Sequence, residues 1–127
     1  MRALIAGLAL LALAGCGTDD DQQQARHATE RFYAAVRAHD AAEACAALSE
    51  DVLRAIDPCS RSVTGLKLQG GPVVSARVFI TNALVELQGG EYVFLGREPG
   101  GWKVDAAGCR FAQGKPQSRP ADCEVQG

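Results

Sequence analysis

The sequence predicts an α+β domain in which N-terminal helices pack on a curved antiparallel sheet of four or more strands. Apolar residues between positions 25 and 57 recur at three- and four-residue steps, which is the period of one helix face. From position 66 onward the period changes to two, and glycine, proline and asparagine interrupt the chain at short intervals. The composition, 47% hydrophobic and 22% charged in 127 residues, is typical of one small globular domain.

Residues 1–15 are predicted to be a targeting segment rather than part of the fold. Met1 and Arg2 give it a positive end, and the apolar run 3–13 is shorter than the roughly 20 residues that a bilayer-spanning helix needs. The sequence Leu-Ala-Gly-Cys then ends at Cys16 and resembles the lipobox of bacterial lipoproteins. This resemblance implies cleavage before Cys16, a diacylglycerol on its thiol, and acyl chains such as palmitate that hold the protein on the extracytoplasmic face of the cell membrane. A secretory signal with an incidental cysteine is the alternative.

Residues 16–24 are predicted to be the lipidated cysteine and a flexible tether, and residues 25–127 the single α+β domain. Segment 17–24 contains three consecutive aspartates, three glutamines and no large apolar side chain. Such a segment spans on the order of 15 Å. We therefore expect the domain to stay close to the membrane and to reorient on its tether.

The four cysteines that remain after Cys16 are predicted to form two disulfides, as an even number in an oxidising compartment suggests. Three pairings are open, and we favour the two local ones, Cys45–Cys59 and Cys109–Cys123, because each encloses a similar segment. A four-thiolate zinc site is the alternative. Zinc ligands usually come in pairs two to four residues apart, and no such cysteine pair is present. Neither a metal nor a cofactor is predicted, because the sequence also has no histidine pair at metal spacing and no glycine-rich phosphate loop.

Three helices are predicted before the sheet. The first begins at Ala25, the second is capped by Asp40 with Glu43 at the capping-box position and runs to about Leu48, and the third is capped by Ser49. Pro58 ends the third helix, because the residue before a proline is forced out of helical geometry. The apolar stripe of the first helix contains Ala28, Phe32, Ala35, Val36 and His39.

Four strands are predicted at residues 73–80, 83–88, 91–98 and 101–111. The turns between them, at 81–82, 89–90 and 99–101, are so short that they can join only antiparallel neighbours. Residues 66–68 are a candidate for one further edge strand. Alternation in the second and fourth strands makes one sheet face apolar, and the helices are expected to cover it.

Two segments resemble small bacterial lipoproteins of the nuclear-transport-factor-like, or cystatin-like, cone fold. They are RFYAAVRAHDAAEACAALSEDV at 31–52 and EYVFLGREPGGWKVDAAGC at 91–109. The resemblance implies a curved sheet wrapped around the first helix, with a cavity that serves as a catalytic site in some relatives and as a binding site or dimer surface in others. It leaves a homodimer open. A fold alone does not choose between these functions.

No catalytic residue is assigned from the sequence. His39 and Tyr33 are the least implausible candidates, and Asp40 and His27 are better explained as a helix cap and a solvated side chain. Tyr92 and Asp105 are the other polar side chains that could face a cavity. If the cavity binds an apolar ligand, the side chains expected to line it are Phe32, Tyr33, Tyr92 and Trp102, although residues of this kind usually form the core.

The function favoured is that of a non-enzymatic, membrane-anchored accessory protein that binds a ligand or a protein partner. A small hydrolase, isomerase or dehydratase that uses the cavity is the alternative. Thirteen basic residues against fifteen acidic ones leave no basic surplus, so nucleic acid is not an expected partner. The partners expected are the membrane, through the lipid on Cys16, and a protein at the membrane surface.

Overall fold

The protein has an α+β architecture with a five-stranded antiparallel sheet that is not closed. The structure is a computed structural model that describes residues 18–111 and 122–127. The predicted α+β class with an antiparallel sheet of four or more strands is confirmed, and Cys16 with the targeting segment lies outside the described residues. The elements are α1 Thr18–Arg37, α2 Ala41–Ala46, α3 Glu50–Ala55, α4 Cys59–Ser62, β1 Val73–Val78, β2 Asn82–Leu87, β3 Tyr92–Glu98, β4 Gly101–Cys109 and β5 Val125–Gln126.

The strands follow one another in the sheet in chain order, β1-β2-β3-β4-β5. The four predicted strands and their short turns are confirmed, with ends that differ by one or two residues. The candidate strand at residues 66–68 is wrong, because that segment forms no strand. Strand β5 was not predicted, since its two residues pair with Ala106 and Ala107 of β4 and have no periodicity of their own.

Helix α1 covers the apolar face of the sheet, as expected. One core cluster joins α1, α2 and α3 to inward-facing residues of every strand. Burying one large aliphatic or aromatic side chain stabilises a fold by about 1.5–3 kcal/mol, so this face holds the domain together. The largest side chains that are completely buried in it include Phe32, Val52, Val85, Val93, Leu95 and Val104.

Helix α1 begins at Thr18, seven residues before the predicted start at Ala25, so residues 18–24 are not a tether. Three aspartates occupy the first turn, where carboxylates interact favourably with the helix dipole. The Asp21 carboxylate also forms an ion pair with Arg97 of β3, with 2.9 Å between Oδ2 and Nη2. This contact joins residues that are far apart in the sequence. The local composition therefore gave no sign of it and suggested a solvated linker.

The two predicted helix caps are confirmed. The Asp40 carboxylate accepts a hydrogen bond from the Glu43 amide at 3.2 Å, and the Ser49 hydroxyl accepts one from the Val52 amide at 3.4 Å. Helix α3 ends at Ala55, shortly before Pro58, as expected. The short helix α4 was not predicted, and Pro58 is its N-cap residue.

Both predicted disulfides are present, and they exclude the zinc alternative. Cys45 of α2 is bonded to Cys59 at the start of α4, and Cys109 at the end of β4 is bonded to Cys123. The first bridge closes the helical region, and the second connects β4 to the segment that leads into β5.

A buried carboxylate holds the loop before β1. Glu91 is only 2% exposed, and its side chain accepts hydrogen bonds from the amides of Gln69 and Gly70. Gly70 has a φ of +71° and lies against the Tyr33 ring, where an added Cβ would be 3.1 Å from Cδ1. A charged acceptor for two amides is among the stronger hydrogen-bonding arrangements in proteins, and it replaces the strand pairing that this loop lacks.

Candidate functional site

The four predicted pocket-lining residues do not meet in one cavity. Phe32 is completely buried in the main core, and Tyr33 is 4% exposed next to it. Tyr92 lies on the opposite face of the sheet, where its ring packs on Phe111 with 4.9 Å between centroids. Of the four, Trp102 lines a cleft. Sequence alternation placed these side chains in the interior correctly but could not assign them to different faces of the sheet.

Tyr33 is held in the core by its hydroxyl group. The hydroxyl oxygen accepts a hydrogen bond from the Gly108 amide at 3.1 Å. Burial raises the pKa of Tyr33 well above its usual value, and the nearby Glu91 carboxylate raises it further. The hydroxyl therefore stays protonated at physiological pH. This side chain joins α1 to β4, which is a structural use of a residue that was considered as a catalytic candidate.

His39 lies outside the apolar stripe in which the sequence placed it. Helix α1 ends at Arg37, and His39 follows it with a φ of +54° and an exposed side chain. The amides of His39 and Asp40 donate to the carbonyls of Val36 and Ala35, which closes the end of the helix. Because the chain turns there, the helical period no longer applies. His39 is thus not directed toward the core that surrounds Tyr33.

The other polar candidates are also dispersed. His27 is exposed on α1, with its Nδ1 3.7 Å from the Glu30 carboxylate. Asp40 caps α2, as described above. Asp105 is half-buried on β4, where its carboxylate covers Gly96 of the neighbouring strand.

A cleft with a volume of about 390 Å³ lies between α1, α2 and the start of β4. Trp102 and the alanines of the two helices give it an apolar surface. Arg31, Lys103, Glu43 and His27 provide its charged and titratable groups, and the glycines of the β3–β4 turn leave its end open. Its lining residues are Gln24, His27, Ala28, Arg31, Glu43, Ala46, Ala47, Gly100, Gly101, Trp102 and Lys103.

The charges of the cleft favour an acidic group. The cleft is lined by two cations, Arg31 and Lys103, and by one carboxylate, that of Glu43. The Lys103 ammonium donates to the Ala46 carbonyl at 2.7 Å and is thereby fixed at the edge of the cleft. Arg31 forms no ion pair or hydrogen bond with another described residue, so its guanidinium is available to a ligand. A guanidinium can bind a carboxylate or phosphate through two parallel hydrogen bonds.

Trp102 is fixed by stacking rather than by a hydrogen bond. The Arg97 guanidinium lies 4.6 Å from the Trp102 ring centroid and also pairs with Asp21 of α1. The indole nitrogen of Trp102 is buried and is the one buried side-chain polar atom without a hydrogen-bond partner in the described part of the chain. Cation–π stacking of this kind contributes about 0.5–1 kcal/mol at partly exposed sites.

Sequence reasoning missed most of this cleft. Gln24, His27, Ala28 and Arg31 follow the spacing of one helix face, which was the available signal, but the helix was expected to begin only at Ala25. The α2 and β4 residues come from distant parts of the chain, and no local pattern joins them. Among residues 18–111 and 122–127, no group of three or more His, Cys, Asp or Glu side chains is placed to hold a metal ion.

Comparison with known proteins gives no relative from which a role could be transferred. A scan against protein-family models and searches of curated proteins and of solved structures find no match to this chain. Within the described residues, no helix has both the length and the apolar character needed to cross a bilayer.

Proposed function

We propose that this chain is a lipid-anchored binding protein on the extracytoplasmic face of a bacterial membrane, where it holds a small acidic ligand in the cleft between α1, α2 and β4. The observation that carries the binding role is that Arg31, which has no partner among the described residues, and Lys103 line the same cleft as Trp102. Such a surface suits a molecule that has a carboxylate or phosphate next to an apolar part. The role is non-enzymatic.

The cysteines support the proposed location. The apolar run that ends in Leu-Ala-Gly-Cys16 supports lipidation, and both remaining cysteine pairs form disulfides, which persist in oxidising compartments outside the cytoplasm. Two or three acyl chains, each methylene contributing about 0.8 kcal/mol when buried, are sufficient for stable attachment. The anchor and the cleft together make this a membrane-bound receptor or an accessory protein.

The same proposal includes the finer fold assignment, an open variant of the nuclear-transport-factor-like cone. Its support is the helix-first order of elements and the packing of α1 against one face of an antiparallel meander. In this assignment the cleft, which the middle of α1 lines, corresponds to the cavity of the cone. A homodimer through the sheet and a protein partner at the membrane are consistent with the fold and are distinguished by the measurements below.

The anchor is tested by mass analysis of protein extracted from its own membrane. We expect a chain that begins at Cys16, carries acyl groups there, and is four hydrogens lighter than the reduced chain because of two disulfides. The Cys16→Ser variant should lack the acyl mass and leave the membrane fraction. Quantitative retention of this variant in the membrane would show that the lipobox assignment is wrong.

The cleft is tested by native mass spectrometry of gently extracted protein. The wild type is compared with a variant in which a large side chain fills the cleft. Ala46 and Ala42 are both exposed on α2, but only Ala46 lines the cleft. We expect a small molecule bound to the wild type and to Ala42→Trp, and its loss in Ala46→Trp. Arg31→Gln should weaken retention because it removes a cation of the cleft that has no partner in the described part of the chain. A ligand that persists in Ala46→Trp, or a protein partner in place of a small molecule, would contradict the ligand assignment.

A further inference from the structure

The turn between β1 and β2 exposes two large apolar side chains. Ile80 is 91% exposed and Phe79 is 57% exposed, and with Val74 they are the exposed large hydrophobic residues of the described chain. The turn is held by backbone hydrogen bonds, since the Phe79 amide donates to the Asn82 carbonyl at 2.7 Å. The two side chains therefore project from an ordered support. Adjacent exposed apolar side chains of this size suggest a contact surface.

A continuous series of contacts places this turn at the same end of the molecule as the start of α1. The Thr81 carbonyl, next to Ile80, accepts a hydrogen bond from the Arg97 amide at 2.9 Å. The Arg97 side chain in turn pairs with Asp21, in the first turn of α1. The end of β1, the start of β2, the end of β3 and the start of β4 also meet here, because neighbouring strands are antiparallel.

In the proposed function, the lipid anchor is joined to this end by a short stretch of chain. One residue separates Cys16 from Thr18, and consecutive Cα atoms are about 3.8 Å apart, so the two Cα atoms are at most about 7.6 Å apart. Residues 18–24, which the sequence assigned to a flexible tether, belong to α1. The end of the domain that carries Asp21, Arg97 and Ile80 is thus restricted to the vicinity of the bilayer surface.

We infer that Phe79 and Ile80 insert into the interface of the membrane to which Cys16 is anchored, and so fix the orientation of the domain. This inference rests on the proposed lipid anchor. Apolar side chains at an interface typically enter the boundary between headgroups and acyl chains, about 5–10 Å deep. The acyl chains on Cys16 and the β1–β2 turn then form two attachment points, which prevents free rotation of the domain.

Apolar contact, rather than charge, carries this attachment. Asp19 and Asp20 are exposed in the first turn of α1, and carboxylates there do not favour an anionic surface. Insertion is therefore expected in zwitterionic bilayers and should be insensitive to salt. The orientation also directs the cleft, because Gln24 and the β3–β4 glycines Gly100 and Gly101 lie at the same end. A ligand would enter and leave the cleft close to the headgroups.

The test uses the full lipidated protein in phosphatidylcholine vesicles whose acyl chains are brominated, since bromine quenches tryptophan fluorescence on contact. Ile80→Trp places a probe in the turn, and Gln88→Trp places one at an exposed position in the opposite turn. The native Trp102 is 6% exposed and provides the background signal. We expect Ile80→Trp to lose most of its added emission in brominated vesicles, with little change for Gln88→Trp or the wild type.

Each outcome separates the insertion from the anchor. Mass analysis first establishes that Cys16 is acylated and that the protein is on the vesicles. Equal emission of Ile80→Trp in brominated and ordinary vesicles would then overturn the insertion and leave the proposed function intact. A chain without acyl groups on Cys16 would overturn both. A blue-shifted but unquenched probe in a dimeric protein would show that a second copy, and not lipid, covers the turn.

Discussion

Reduction of both disulfides is expected to lower the free energy of unfolding by about 6 kcal/mol. Each bridge encloses a segment of fifteen residues, and a loop of about this length contributes roughly 3 kcal/mol through the lost entropy of the unfolded chain. Two bridges together therefore contribute about 6 kcal/mol. The total stability of a small domain is about 5–15 kcal/mol, so the loss of both bridges removes from roughly two fifths to all of it.

The measurement is urea denaturation followed by circular dichroism, with and without a reductant, and with the freed thiols blocked. The double variant Cys45→Ala with Cys59→Ala, without a reductant, should be destabilised by about half as much as the fully reduced wild type, because one bridge of two remains. It leaves the sheet untouched, since both cysteines lie in the helical region. An unchanged urea midpoint after complete reduction would show that the hydrophobic core alone stabilises the domain.

The features predicted correctly from the sequence are those whose physics is local. Asp40 and Ser49 cap helices through amides three residues away, so a short motif contains the whole interaction. The strand turns are equally local, because a two-residue connection allows only antiparallel pairing. The disulfide pairing was accessible because the favoured bridges close short loops and the count of cysteines was even after Cys16 was removed.

The features that were missed depend on contacts between distant residues. The first turn of α1 is a polar segment with no apolar period. Its ion pair is with Arg97 of β3, which is far away in the sequence and does not contribute to the helix pattern. Strand β5 has two residues and exists through its pairing with Ala106 and Ala107. Residues 66–68 alternate like a strand, yet the buried Glu91 carboxylate binds the loop just beyond them. Sequence periodicity does not report such partners.

The candidate site shows the same limit. The sequence predicted that aromatic residues would be interior, and this is confirmed for Phe32, Tyr33, Tyr92 and Trp102. Which of them faces a cleft is decided by the stacking of Arg97 on Trp102 and by the approach of α2 to β4 through the Lys103–Ala46 hydrogen bond. Both are products of the tertiary fold, so the cleft was visible only in the structure.

Phe32→Ala is expected to reduce the free energy of unfolding by about 3–5 kcal/mol, because it opens a cavity in the centre of the core. The ring is completely buried, and it contacts Tyr33 edge-on with 5.7 Å between centroids. Phe79→Ala is the matched control, since Phe79 is 57% exposed and its loss should cost less than about 0.5 kcal/mol. Urea denaturation measures both, and Phe32→Leu should recover part of the loss.

This comparison also distinguishes the two interpretations of Phe32, because a pocket-lining residue would alter ligand retention at nearly constant stability, whereas a core residue lowers stability first.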